Sequence, residues 1–184
     1  MRLFLAATFP EAVLRPLNDR LNAVRSRLPA ASWVRPETQH LTFAFLGERP
    51  EALVDKLSPL VVSELDGIGA FEGRLRGAGF FPNPRHARVG WVGVHPEDRF
   101  IEIANAVRRA VHDAGVELDR ADFRPHLTLM RIRDPWPPAS IDLFQKTLRE
   151  YESAPFPVDA VTLFSSKLNP SGAVHTAMKR FGLA

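Results

Sequence analysis

The apolar positions of this chain change period several times. Leu3 to Thr8 is a nearly continuous apolar run, as expected of a buried strand. From Pro10 to Leu28, Leu14, Leu17, Leu21, Val24 and Leu28 step by three and four, which marks an amphipathic helix. Leu41, Phe43 and Phe45 then alternate with His40, Thr42 and Ala44, the period of a strand. Gly47 and Pro50 punctuate it, and Glu51 to Leu65 is helical again. Phe71 to Phe81 reads as a second strand region, turned by Pro82-Asn83-Pro84. A similar succession follows. Arg88 to Val94 is a strand, and a helix starting near Pro96 carries Phe100, Ala104, Val107 and Val111 on one face as far as Gly115. Leu127 and Leu129 lie in another strand. Pro135, Pro137 and Pro138 interrupt the chain before a helix from about Ser140 to Tyr151. Val158 to Phe164 and Val174 to Lys179 close as strands around an Asn-Pro turn.

The succession is a repeat. His40-Leu41-Thr42-Phe43 recurs as His126-Leu127-Thr128-Leu129, and Asn83-Pro84 as Asn169-Pro170, both at an offset of 86 (126 − 40 and 169 − 83). Arg2-Leu3-Phe4-Leu5-Ala6 aligns with Arg88-Val89-Gly90-Trp91-Val92 at the same offset, 88 − 2 = 86. The pattern predicts an α+β fold of two pseudo-symmetric lobes of antiparallel sheet with outer helices. The expected organisation is a single bilobal domain over residues 1–184, with an internal repeat of approximately 1–86 and 87–184. Equivalent residues would then face each other about a pseudo-twofold axis.

Composition narrows the chemistry. The chain contains no Cys, which excludes disulfides, thiolate nucleophiles and cysteine-based metal sites. A net charge of +3 and a pI near 9.8 suit an anionic ligand without establishing one. The apolar start at Leu3 is too short for a signal peptide, and no apolar segment approaches the roughly 20 residues that span a bilayer. A cytoplasmic protein with no membrane partner is the expectation, and a monomer is the default.

Residues i and i+2 of a strand share a face, so His40 points with Thr42 and His126 with Thr128. Histidine exchanges protons near neutral pH. Two imidazoles on opposite sides of a phosphorus can activate a water and protonate the leaving oxygen, while the hydroxyls hold non-bridging oxygens. Arg131 could add fixed positive charge. Strict alternation, however, turns Arg131 away from His126 unless a bulge or the strand end re-aims it. A lone His-x-Thr in a strand usually means an edge position or a satisfied core histidine; two copies at equivalent positions resist that reading. Glu37, Glu48 and Asp122 lie near these histidines in sequence without a compact ligand spacing, so the expectation is no metal and no cofactor. His86, His95 and His112 read as surface residues.

The paired motifs resemble the two His-x-Thr-x motifs of the 2H phosphoesterase superfamily. The opening Arg2-Leu3-Phe4-Leu5-Ala6, the run from Phe81-Pro82 through Val94, and His126 followed by Arg131 resemble its RNA 2′,3′-cyclic phosphodiesterase branch, long called 2′-5′ RNA ligases. The resemblance spans essentially the whole chain. It implies two lobes around a central cleft and metal-independent opening of a 2′,3′-cyclic phosphate at an RNA or oligonucleotide end to a 2′-phosphate. By the same resemblance, His40 is the proton donor, His126 the proton acceptor, and Thr42, Thr128 and Arg131 hold the phosphate. The alternatives are 2′-5′ end joining at the same site and a non-catalytic RNA-end binding module. One departure stands out: His175 occupies a position where relatives often carry Tyr. It reads either as a pocket residue or, preferably, as a partly exposed histidine on the closing strand. Phe9 reads equally as pocket or core.

Overall fold

The computed structural model describes residues 1–119 and 121–184. β1 (Arg2–Thr8) leads into α1 (Glu11–Arg25), then β2 (Ser32–Trp33), a 3-10 turn at Pro36–Thr38, β3 (His40–Glu48), α2 (Ala52–Leu65) and β4 (Phe71–Phe81). A 3-10 turn at Pro84–His86 connects to β5 (Val89–His95), α3 (Glu97–Asp113), β6 (His126–Arg131) and α4 (Pro138–Leu148). β7 (Phe156–Val158), β8 (Ala160–Asn169) and β9 (Gly172–Gly182) follow. The helix starts preserve the repeat, since 97 − 11 and 138 − 52 both equal 86. Pro10 and Pro96 precede the two equivalent helices, each followed by a Glu in the first turn, where a negative charge meets the helix dipole.

The ends of several elements differ from the sequence pattern for identifiable reasons. α1 stops at Arg25, yet Leu28 stays buried because the turn beyond the helix folds it back onto the core. α4 begins at Pro138, where the missing N–H costs nothing in a first helical turn. β8 and β9 run well past their apolar stretches. Their outer ends leave the core, and Leu168 is 72% exposed, so backbone pairing across the hairpin sustains them. Gly172 takes a φ of +117° at that hairpin's tip, a conformation L residues avoid. The two-residue β2 carries no readable period and exists through its pairing with Arg131 and Met130.

The fold is α+β, with two antiparallel sheets whose strand orders are β3-β1-β8-β9 and β2-β6-β5-β4-β7. The triplets β3-β1-β8 and β6-β5-β4 within them are equivalent in the repeat. Each triplet borrows one strand from the other half of the sequence: β8 completes the first sheet and β4 the second. The helices cover the outer faces with apolar stripes that include Leu17 and Leu21 of α1, Leu57 and Val61 of α2, and Phe100 and Val107 of α3, all within one continuous core. Phe9 belongs to that core, edge-on to Phe156 at 5.2 Å. Among the described residues, no helix is long and apolar enough to cross a membrane.

Candidate active site

β3 and β6, equivalent strands of the two sheets, approach each other where the lobes meet. His40 opens one and His126 opens the other, and both line a single cleft of about 580 Å³. Each imidazole is held in the same way. His40 Nδ1 donates to the carbonyl of Thr38 at 2.6 Å, and His126 Nδ1 to the carbonyl of Arg124 at 2.6 Å. A carbonyl only accepts, so Nδ1 carries the proton in both rings and the exchangeable site is Nε2. Burial pushes both imidazoles below the usual histidine value, against the carbonyl bonds, which favour the charged form. His175 adds to the depression at His40, and Arg131 at His126.

The side-chain alternation holds through the threonines and then breaks. Leu41 and Phe43, like Leu127 and Leu129, point into the core, while Thr42 and Thr128 line the cleft beside their histidines. Phe43 has no partner across β1, and Leu129 none across β5, because the register skips one residue at each. These are equivalent bulges, 129 − 43 = 86. Ala44 and Met130 therefore also turn inward, and the next residues, Phe45 and Arg131, swing back to the cleft face. The bulge required to aim Arg131 at His126's side is present.

Aromatic rings back each imidazole. Phe4 lies 4.8 Å from His40 and stacks on Phe164 at 5.3 Å, while Phe81 meets His126 edge-on at 4.8 Å. Directly before His40, the buried Gln39 exchanges two amide bonds with Asn18 of α1, at 2.9 and 3.0 Å, which ties the start of β3 to the helix. Among the described residues, no group of three or more His, Cys, Asp or Glu side chains gathers in metal-binding proximity.

The arrangement has relatives. The family model of the 2′-5′ RNA ligase superfamily matches residues 10–170. The chain belongs to that superfamily. The RNA 2′,3′-cyclic phosphodiesterase of Methanothermobacter thermautotrophicus is 32% identical over 187 residues, covering 100% of this chain and 99% of that protein. TT0787 of Thermus thermophilus has a similar structure, with a TM-score of 0.79 at 31% identity over 100% of this chain and 98% of that one. E. coli LigT, crystallised with 3′-AMP, matches with a TM-score of 0.74 at 27% identity over 99% and 97% of the two chains.

His175 sits partly exposed on the closing strand β9, so the preferred reading holds, and the pocket reading holds with it. It is half-buried and lines the cleft, its ring 5.2 Å from His40 and 4.9 Å from Phe4, edge-on to both. β3 and β9 are opposite edges of their sheet, so this contact requires the sheet to curl strongly toward the cleft. Burial lowers His175's affinity for a proton, and Arg35 lowers it further. His86 and His112 are exposed as expected, whereas His95 is half-buried at the end of β5, on a separate surface with Glu72 and Arg74. Arg2, Phe4 and Phe45 also line the cleft and were not expected there. Phe45 could have been found, because the offset that pairs the histidines pairs it with Arg131.

Proposed function

We propose that the protein is an RNA 2′,3′-cyclic phosphodiesterase, a hydrolase that opens the cyclic phosphate at an RNA end to a 2′-phosphate. The observation that carries this reading is the matched pair of imidazoles, each with Nδ1 held by a carbonyl two residues back and Nε2 left to exchange a proton in one cleft. His126 Nε2 takes a proton from the attacking water as its oxygen bonds to phosphorus. The bond from phosphorus to O3′ breaks, and His40 Nε2–H protonates the departing O3′. The product is a 3′-hydroxyl and a 2′-phosphate, and the histidines finish with their protonation states exchanged. Thr42 and Thr128 donate to non-bridging oxygens, and the Arg131 guanidinium offsets the charge that builds on them. The relative from Methanothermobacter thermautotrophicus bears the name of this activity over its whole length. Both walls of the cleft come from one chain, so a monomer suffices.

The test is turnover of a 2′,3′-cyclic nucleotide in the presence of EDTA, with identification of the product isomer. Wild type should release the 2′-phosphate, and His40→Ala and His126→Ala should each lose roughly 10²–10⁴-fold in rate. A wild-type protein that binds RNA ends without turnover would instead be a binding module, and abolition by EDTA would refute the metal-independent route.

A further inference from the structure

The two lobes present their positive charge from different strands. The offset of 86 pairs Arg2 with Arg88 and Phe45 with Arg131 (88 − 2 and 131 − 45). In the second lobe, Arg131 faces the cleft, while Arg88 is exposed and donates to the carbonyl of Arg133. In the first lobe the assignment is reversed. Phe45 takes the cleft position of Arg131, and Arg2 lies over its ring, the guanidinium carbon 4.9 Å from the centroid. Each lobe therefore brings one guanidinium to the cleft: Arg131 directly, and Arg2 resting on an aromatic platform.

Arg2 is not committed to a structural ion pair among the described residues. Glu48, its partner across β1 and β3, lies instead 3.4 Å from the Met1 amine. Stacking on Phe45 pre-orients the planar guanidinium and leaves its N–H fork for a ligand. On the other side of β1, Arg2 is in register with Ser166, and Ser166 with His175; all three line the cleft. This polar row lies two residues along β1 and β8 from the Phe4 and Phe164 pair, to which the register of β1 with β3 adds Phe45. A guanidinium fork beside a hydroxyl suits a phosphate oxygen.

We propose that Arg2, with Ser166 beside it, forms a second phosphate subsite that holds the internucleotide phosphate adjoining the reacting end. The enzyme would then favour oligonucleotides over cyclic mononucleotides. The inference rests on reading the cleft as a site for RNA 2′,3′-cyclic ends. Arg131 serves the reacting phosphate, which every substrate has; Arg2 serves one that only an oligonucleotide carries.

The experiment compares kcat/KM for a 2′,3′-cyclic mononucleotide and for a trinucleotide with the same end, in wild type, Arg2→Ala and Arg2→Lys. Binding of a trinucleotide ending in a 2′-phosphate is measured alongside over a range of salt. Arg2→Ala should lower the trinucleotide-to-mononucleotide ratio about tenfold and make the log–log salt slope shallower by about 0.7, the contribution of one phosphate on a single strand. Arg2→Lys should recover the slope and only part of the ratio, since it keeps the charge and loses the fork. Equal loss on both substrates, or an unchanged slope, overturns the subsite. If wild type turns over neither substrate, the hydrolase reading fails, and the salt slope still decides on Arg2.

Discussion

At the scale of single residues, the proposed mechanism needs His40 charged and His126 neutral, and burial pushes both rings toward the neutral form. A depressed value for His40 means that its proton is lost at lower pH, so the basic limb of activity moves down. A depressed value for His126 means that a neutral base persists at lower pH, so the acidic limb moves down as well. The kcat/KM profile of the free enzyme should therefore be a bell displaced to the acid side of an ordinary histidine pair. A bell centred at or above pH 7 would contradict this. His175→Phe removes a neighbouring charge that opposes protonation of His40, so the basic limb should move back up while the acidic limb stays. The histidine pair was legible in the sequence because the repeat set one copy against the other. For His175 the sequence left the pocket and surface readings open, because a strand's period tells which face a residue takes but not how far the sheet curls.

At the scale of elements, the bulges in β3 and β6 decide what the cleft contains. Their trace in the sequence is the doubled apolar step, Phe43-Ala44 and Leu129-Met130, which breaks alternation at the same place in both halves. Unbroken alternation would drive Arg131 into the core, where an unpaired charge is strongly disfavoured, so the bulge is the physically cheaper solution. The Asn18–Gln39 tie was invisible, since nothing in a helical or strand period pairs two amides 21 residues apart. Replacing Asn18 with Ala leaves the buried Gln39 Oε1 without its donor, with Nε2 keeping only its 3.4 Å bond to the Val34 carbonyl, and should cost about 1–3 kcal/mol, read as a lower midpoint in urea unfolding at unchanged m-value. No loss of stability would mean that the pair adds nothing to the anchoring of β3.

At the scale of the whole molecule, the repeat announced two lobes but not how they are joined. Local periodicity locates β4 and β8 as strands; their partners lie across the repeat boundary and are fixed by non-local pairing. Residues 1–86 made alone would lack β8 beside β1, and 87–184 alone would lack β4 beside β5. Neither fragment should unfold cooperatively by circular dichroism, whereas the two mixed should regain sheet signal and elute together near the size of the intact chain. A cooperative transition from either half by itself would refute this interdependence. The lobes are coupled through strands and not merely through a surface.

That exchange of strands also has a consequence for ancestry. A half-length polypeptide with the same pairing preference could complete its sheet only with another copy, handing over its third strand and receiving one in return. Its cleft would lie on a true twofold axis, lined by two indistinguishable His-x-Thr units, with neither histidine designated as donor or acceptor. Joining the copies end to end would preserve the architecture and remove the obligation to be identical. Phe45 opposite Arg131 is what that freedom looks like after divergence.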